Sequence, residues 1–154
     1  MDGAGSFAIV GLAQLDVTSA EAAIRALAKA LVAAGHVKDT FEAAALKRER
    51  KSPTGLPFQG GAVALPHADP EHVASPALAI ASLAKPVTFR EMGSPATELT
   101  VSLVVMPAFT AKEQAAAGLA HLIEHLQDET LRAALTAATS PEAMRDLLAA
   151  RGIT

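Results

Sequence analysis

Between residues 62 and 106 the chain carries three short apolar runs, Ala62–Pro66 "AVALP", Ala77–Leu83 "ALAIASL" and Leu99–Met106 "LTVSLVVM". Each is bounded by proline, glycine or charge, and each is too short for a globular helix but right for a buried strand. On both sides the period changes. "TSAEAAIRALAKALVAAG" (18–35) places Ala23, Ile24, Leu27 and Leu31 at helical spacing. Thr18 or Ser19 is available as its cap, and Gly35 can end it. "DTFEAAALKRER" (39–50) reads as a second helix with Asp39 as cap and a cationic end that suits the helix dipole. After the last run the pattern predicts helices over about 111–126, 128–137 and 141–151. Ser140 caps the last of these, and Pro141 is its first residue. "FAIVGL" (7–12) is a further candidate strand, and "SPTGLPFQGG" (52–61) reads as punctuation, with two prolines and three glycines in ten residues.

Helices, then strands, then helices predicts an α/β (α+β) fold: one domain over residues 1–154. Its mixed, mostly parallel sheet of about five strands is flanked by helices on both faces. A chain of 154 residues, 51% apolar with five Phe and no Trp or Tyr, must build its core from aliphatic side chains and alanine. It has no cysteine, which removes disulfides, thiolate metal sites and cysteine nucleophiles. A net charge of −3 without a basic stripe gives no reason to expect nucleic acid as a partner. No apolar run reaches the length of a membrane span. The start, "MDGAGSFAIVG", lacks the cationic region of a signal peptide. The expectation is a soluble cytoplasmic protein.

The stretch "GGAVALPHADPEHV" (60–73) begins as a buried strand and stops on Pro66-His67. Proline has no N–H and ends a ladder. His67 is therefore presented just past a strand end, where binding groups of open α/β sheets often lie. Asp69 and Glu71 are candidates to orient one ring nitrogen, leaving the other free. A histidine at such a turn can equally be an ordinary hydrogen-bonded loop residue. The preceding "KRERKSPTG" (47–55) adds guanidinium and hydroxyl groups suited to phosphate oxygens, though "KRER" also fits a solvated helix end. A nucleophilic histidine beside such donors suits phosphoryl transfer.

Taken together, "RERKSPTGL", "GGAVALPHADPEHV", "PALAIASLAKPVTF", "SLVVMP", "HLQDETLRAAL" and "SPEAMRDLLAARG" resemble the enzyme IIA component of the bacterial phosphoenolpyruvate-dependent sugar phosphotransferase system, mannitol/fructose superfamily. The Pro-Thr-Gly-Leu and Pro-His-Ala-Asp-Pro-Glu-His pieces are most similar to its galactitol-type branch. The resemblance implies a phosphotransferase component in which His67 takes a phosphoryl group from HPr. His67 then passes it to a cysteine of a separate enzyme IIB, and through it serves a membrane-bound IIC that reads the sugar. The group is carried covalently, with no cofactor and no metal. Arg48 corresponds to the family's arginine at the phosphoryl site and Thr54 to its loop hydroxyl. The second active-site histidine of mannitol-type members is replaced here by Gln114 or Ala115, so His72 or Gln114 is expected to supply the missing polar contact. Docking of the two partners calls for a shallow apolar rim, expected from Leu56, Phe58, Ala68 and the helix beginning near Ala111.

Two other readings remain. Some relatives of this fold act as regulators whose binding depends on phosphorylation at the same histidine. Separately, "HLIEH" (121–125) matches a zinc-peptidase pattern, with His121, Glu124 and His125 on one helix face. The pattern is short, and only 29 residues follow it in which a further acidic ligand could lie. The helical stripe of Leu119, Leu122 and Leu126 places the two histidines at its rim.

Overall fold

The computed structural model describes residues 7–153. Strand β1 (Ala8–Leu15) leads to helices α1 (Ala20–Ala33) and α2 (Phe41–Lys51). Two short strands follow, β2 (Gly55–Phe58) and β3 (Gly61–Ala64), then a single 3-10 turn at Pro70–His72. The long strands β4 (Ala77–Glu91) and β5 (Ser94–Ala108) complete the sheet. Helices α3 (Lys112–Leu126), α4 (Glu129–Ala137) and α5 (Pro141–Ala149) close the chain. No helix among the described residues is long and apolar enough to cross a membrane.

The sheet is mixed and, counted by pairings, mostly parallel. β1 with β4, β3 with β5, and one register pair of β2 with β4 run parallel. β2 with β3 and β4 with β5 are antiparallel. Because β4 pairs with both β5 and β2, the strands β4, β2, β3 and β5 close on themselves, and β1 adds to the outside of β4. Gly55 permits that closure. A Cβ there would stand 2.6 Å from the Arg90 carbonyl oxygen, nearer than any side chain can approach.

Alternation along β4 and β5 decides which face meets which helices. Ala77, Ala79, Ala81, Val104 and Met106 pack with Ile24, Leu27, Leu31 and Phe41 of α1 and α2. Leu78, Ile80, Leu103 and Val105 pack with Leu122, Leu126, Leu131, Leu135, Met144 and Leu148 of α3, α4 and α5. Helices therefore cover both faces, and each fully buried Leu or Ile contributes about 1.5–3 kcal/mol.

Three local expectations are corrected. The "punctuation" of residues 52–61 contains β2, a four-residue strand with an exposed Pro57, which pairs with β3 along its length and with β4 only at Gly55. The run at 77–83 continues to Glu91, because Val87 and Phe89 point in while Thr88 and Arg90 point out. The break at Lys85-Pro86 is absorbed by a register shift between Ser82 and Val87. Finally, Asp39 does not cap α2: Thr40 holds the cap position without a capping hydrogen bond. The other caps stand, with Ser19 accepting from the Ala22 N–H, and Ser140 from that of Ala143.

A buried cation ties the β2–β3 turn to the helical layer. Arg132 is 6% exposed and donates Nη1 to the Leu126 carbonyl at 2.7 Å and Nη2 to the Gln59 carbonyl. Its guanidinium lies 4.9 Å from the centre of the Phe58 ring.

Candidate phosphoryl-transfer site

The topology sets the location. Ala64 of β3 lies opposite Val104 of β5 in parallel register, and Ala108 pairs with Ala77. The C-terminal ends of β3 and β5 therefore leave the sheet on the same side. Pro66-His67 emerge there, and so does the chain that enters α3. Pro66 is buried and His67 partly buried.

The imidazole is fixed by the backbone. Its Nδ1 lies 2.8 Å from the Leu65 carbonyl oxygen. A carbonyl can only accept, so Nδ1 carries the proton and Nε2 keeps its lone pair. The sequence reading assigned the orienting role to Asp69 or Glu71, and the structure gives it to Leu65. Burial pushes the His67 pKa below its ordinary value. The Leu65 hydrogen bond and the Asp69 charge oppose that shift, and the Arg48 charge reinforces it. The result is a ring biased toward the neutral, nucleophilic form.

Arg48, in the last turn of α2, faces the same turn. Its Nη1 lies 3.8 Å from Asp69 Oδ1, and both side chains are largely exposed, so the pair adds little stability and leaves the guanidinium free to meet an anion. Thr54 differs from expectation. It is 2% exposed, and its hydroxyl donates to Glu49 Oε1 (2.8 Å) while accepting from the Leu65 N–H (3.1 Å). With its one proton committed inward, Thr54 supports the His67 turn from beneath instead of facing a phosphoryl group.

His72 and Gln114 are not joined to His67 by a hydrogen bond among the described residues. His72 Nδ1 pairs with Thr40 Oγ1 at 2.8 Å, and its carbonyl accepts from the Lys38 N–H. It belongs to the seam where Val37 bridges to Val73. Gln114 stands in the first turn of α3 and accepts from Thr110 Oγ1 at 3.3 Å. Of the expected docking rim, Ala68 is buried in the core, and Phe58 lies at the β2–β3 turn, the far end of the hairpin from His67. Leu56 is partly buried against the helical layer.

Sequence reasoning missed Glu49. It is the lone acid in "KRERK", and the hydroxyl that it binds lies five positions further on. A single carboxylate inside a cationic helix end is the signal that could have revealed it. On α3, His121 Nε2 and His125 Nε2 lie 3.2 Å apart on an exposed face, with Glu124 Oε1 4.0 Å from His121 Nδ1. No cluster of three or more His, Cys, Asp or Glu suited to a metal occurs among the described residues.

Residues 9–150 match the family model described as "Phosphoenolpyruvate-dependent sugar phosphotransferase system, EIIA 2". The chain belongs to this EIIA family. A curated EIIA relative, the PTS system 2-O-alpha-mannosyl-D-glycerate-specific EIIABC component of Escherichia coli (strain K12), is 34% identical over 140 residues. That match covers 88% of this chain but only 20% of the relative, so the chain spans about a fifth of that protein's length. Among solved EIIA structures, enzyme IIA-mannitol of Escherichia coli in its complex with phosphorylated enzyme IIB-mannitol superposes with a TM-score of 0.74. It is 25% identical and covers 92% of this chain and 94% of that one. The nitrogen regulatory protein IIA-Ntr of Neisseria meningitidis shares the fold, with a TM-score of 0.67 at 22% identity over 90% of this chain and 92% of that one.

Proposed function

We propose that this EIIA chain is a phosphocarrier in which Nε2 of His67 accepts a phosphoryl group from HPr and passes it to a cysteine of enzyme IIB. The observation that carries this reading is the Nδ1 contact with the Leu65 carbonyl, which leaves Nε2 as the free nucleophile, with Arg48 paired to Asp69 of the same turn. In the first transfer, the Nε2 lone pair attacks phosphorus, a new P–N bond forms, and the bond from phosphorus to the donor's nitrogen breaks with its electron pair returning to that ring. Positive charge develops on the His67 imidazole, and the Leu65 carbonyl stabilises the Nδ1–H that bears it. Arg48 offsets charge on the phosphoryl oxygens, so the protein contributes mainly position and electrostatics. The second transfer reverses these roles, with a thiolate as the attacking group. The residues 1–154 contain no cysteine, so the acceptor thiol lies outside them. No resident cofactor or metal is needed for either step.

The sugar-specific relative at 34% identity and the IIA–IIB pairing of a structural neighbour support the transport reading. The likeness to IIA-Ntr concerns the fold alone. Assignment to the galactitol-type branch rests on the Pro-Thr-Gly-Leu and Pro-His-Ala-Asp-Pro-Glu-His residues. Incubation with enzyme I, HPr and phosphoenolpyruvate is expected to add one acid-labile phosphoryl group, which His67→Ala abolishes. A cognate IIB then unloads it onto a cysteine. Full labelling of the folded His67→Ala protein defeats the assignment. Should no IIB accept the group while a non-transport protein binds a single phospho-form, the regulatory reading takes its place.

A further inference from the structure

The nucleophilic tautomer of His67 depends on one backbone residue, Leu65, and Leu65 is held at both of its polar atoms. Its carbonyl accepts from His67 Nδ1 at 2.8 Å, and its N–H donates to Thr54 Oγ1 at 3.1 Å. Thr54 is held in turn by Glu49. Its hydroxyl donates to Oε1 at 2.8 Å and its N–H to Oε2 at 3.0 Å. Both carboxylate oxygens therefore act as acceptors, which is the behaviour of the ionised group. A hydroxyl has a single proton. Glu49 takes it, so the Thr54 oxygen is left to accept from the Leu65 N–H, a donor it shares with the Thr54 carbonyl at 3.4 Å. Glu49 is buried enough for desolvation to push its pKa up, which the Thr54 bonds and the Arg48 charge oppose. A carboxylate beneath a site, satisfied by one threonine and adjacent in sequence to Arg48, is a costly feature to keep for a surface turn.

We propose that Glu49 is a positioning residue for phosphoryl transfer: through Thr54 it fixes the Leu65 peptide planes so that His67 keeps its proton on Nδ1 and aims Nε2 outward. The inference rests on His67 being the phosphoryl acceptor, but its central claim concerns the unphosphorylated ring. It also assigns the threonine of the Pro-Thr-Gly turn to the support of the histidine.

The test is nitrogen NMR of protein labelled at histidine, run beside the phosphorylation assay. In the wild type the His67 nitrogens are expected to give one protonated Nδ1 signal and one unprotonated Nε2 signal. In Glu49→Ala the two signals move toward each other as the ring exchanges tautomers. The rate of phosphoryl acceptance falls roughly 100-fold, the scale of a misplacement of about 1 Å. Glu49→Gln keeps the shape and one acceptor but sets an amide N–H₂ against a donor. It serves where Glu49→Ala does not fold, and an intermediate shift is expected. Thr54→Val reproduces the Glu49→Ala effect, and the double variant adds little, because the two residues lie on one path. Wild-type nitrogen signals in folded Glu49→Gln and Thr54→Val overturn the proposal. So does a lost rate with an undisturbed tautomer. If the wild type takes no phosphoryl group from HPr, the proposed function fails, while the nitrogen spectra still decide the role of Glu49.

Discussion

His67 Nδ1 and the carbonyl oxygen of Leu65 are 2.8 Å apart, a contact between residues two positions apart in the chain and separated by a buried proline. The proline ends β3 and fixes its own φ, so the imidazole folds back on the carbonyl that precedes it. Reactive geometry here is a local consequence of "LPH", held in place by the packing around it.

The first prediction concerns pH. Burial lowers the His67 pKa, so its NMR titration midpoint is expected below the ordinary 6.5. Arg48 contributes to the lowering and Asp69 opposes it. Arg48→Ala therefore moves the midpoint up and Asp69→Asn moves it down. The sign for stability follows by linkage. Below the ordinary pKa the unfolded chain binds a proton that the native state resists. His67 therefore weakens the fold as pH falls from about 6.5 through its native pKa, and the loss levels off below that. Urea midpoints of the wild type and His67→Gln are expected to match at pH 8 and to diverge at pH 5, with the wild type the more weakened.

The second prediction separates Arg48 from Thr54. Arg48→Ala removes an exposed guanidinium and is expected to leave thermal stability nearly unchanged. Phosphoryl acceptance slows by about 10- to 1,000-fold, the range seen for lost electrostatic donors. Arg48→Lys restores part of the rate, since charge survives without the planar fork. Thr54→Val has the opposite profile in stability. It leaves Glu49 Oε1 without its hydroxyl donor, while the backbone N–H still serves Oε2, and it weakens the hold on the Leu65 N–H, at a cost of about 1–3 kcal/mol. Denaturant melts and single-turnover labelling of the two variants distinguish these outcomes.

Much of this was legible before the structure. The strand-ending Pro66, the helical stripes of Ile24, Leu27 and Leu31, and the caps at Ser19 and Ser140 are local signals, and local physics produced them. What escaped depends on distant partners. β2 is a strand because β3 returns beside it, not because "GLPF" favours one. Val87 and Phe89 carry a readable alternation, but the Pro86 beside them reads as a stop until β5 pairs across it. Thr54 looked like an outward hydroxyl because nothing in its neighbourhood shows that Glu49 folds beneath it. His72 looked close to His67 in sequence, and Thr40 claims it from the α1–α2 connection.

The third prediction concerns the paired imidazoles on α3. Catalytic zinc needs three protein ligands and an open position. His121 and His125 supply two, and no suitable cluster of three is found among the described residues. Elemental analysis of protein purified without a histidine tag is expected to give far less than one zinc per chain. His121→Ala and His125→Ala are expected to leave phosphoryl acceptance within about two-fold of wild type, as groups that do not touch the reacting atoms should. Stoichiometric zinc lost in both variants, together with hydrolytic activity, contradicts this.

The last prediction concerns Arg132, which does no chemistry in this account but joins two parts of the fold. Its fork bonds the carbonyls of Gln59 and Leu126 and covers Phe58. Removing it leaves the Leu126 carbonyl, at the end of α3, without its donor, and exposes one face of the Phe58 ring. Arg132→Ala is expected to cost about 1.5–5 kcal/mol, since the stranded Leu126 carbonyl costs about 1–3 and the lost ring contact about 0.5–2, while the exposed Gln59 turn can meet water. For a chain of this size that lowers Tm by about 3–20 °C. Arg132→Lys recovers less than half, because an ammonium cannot serve both carbonyls in one plane. The β2–β3 turn is the element expected to loosen first, seen as faster amide exchange at Phe58 to Gly61. His67 lies at the other end of β3, so phosphoryl acceptance at 20 °C is expected to stay near wild type while heat tolerance falls. Loss of activity without loss of stability in Arg132→Ala contradicts this structural role.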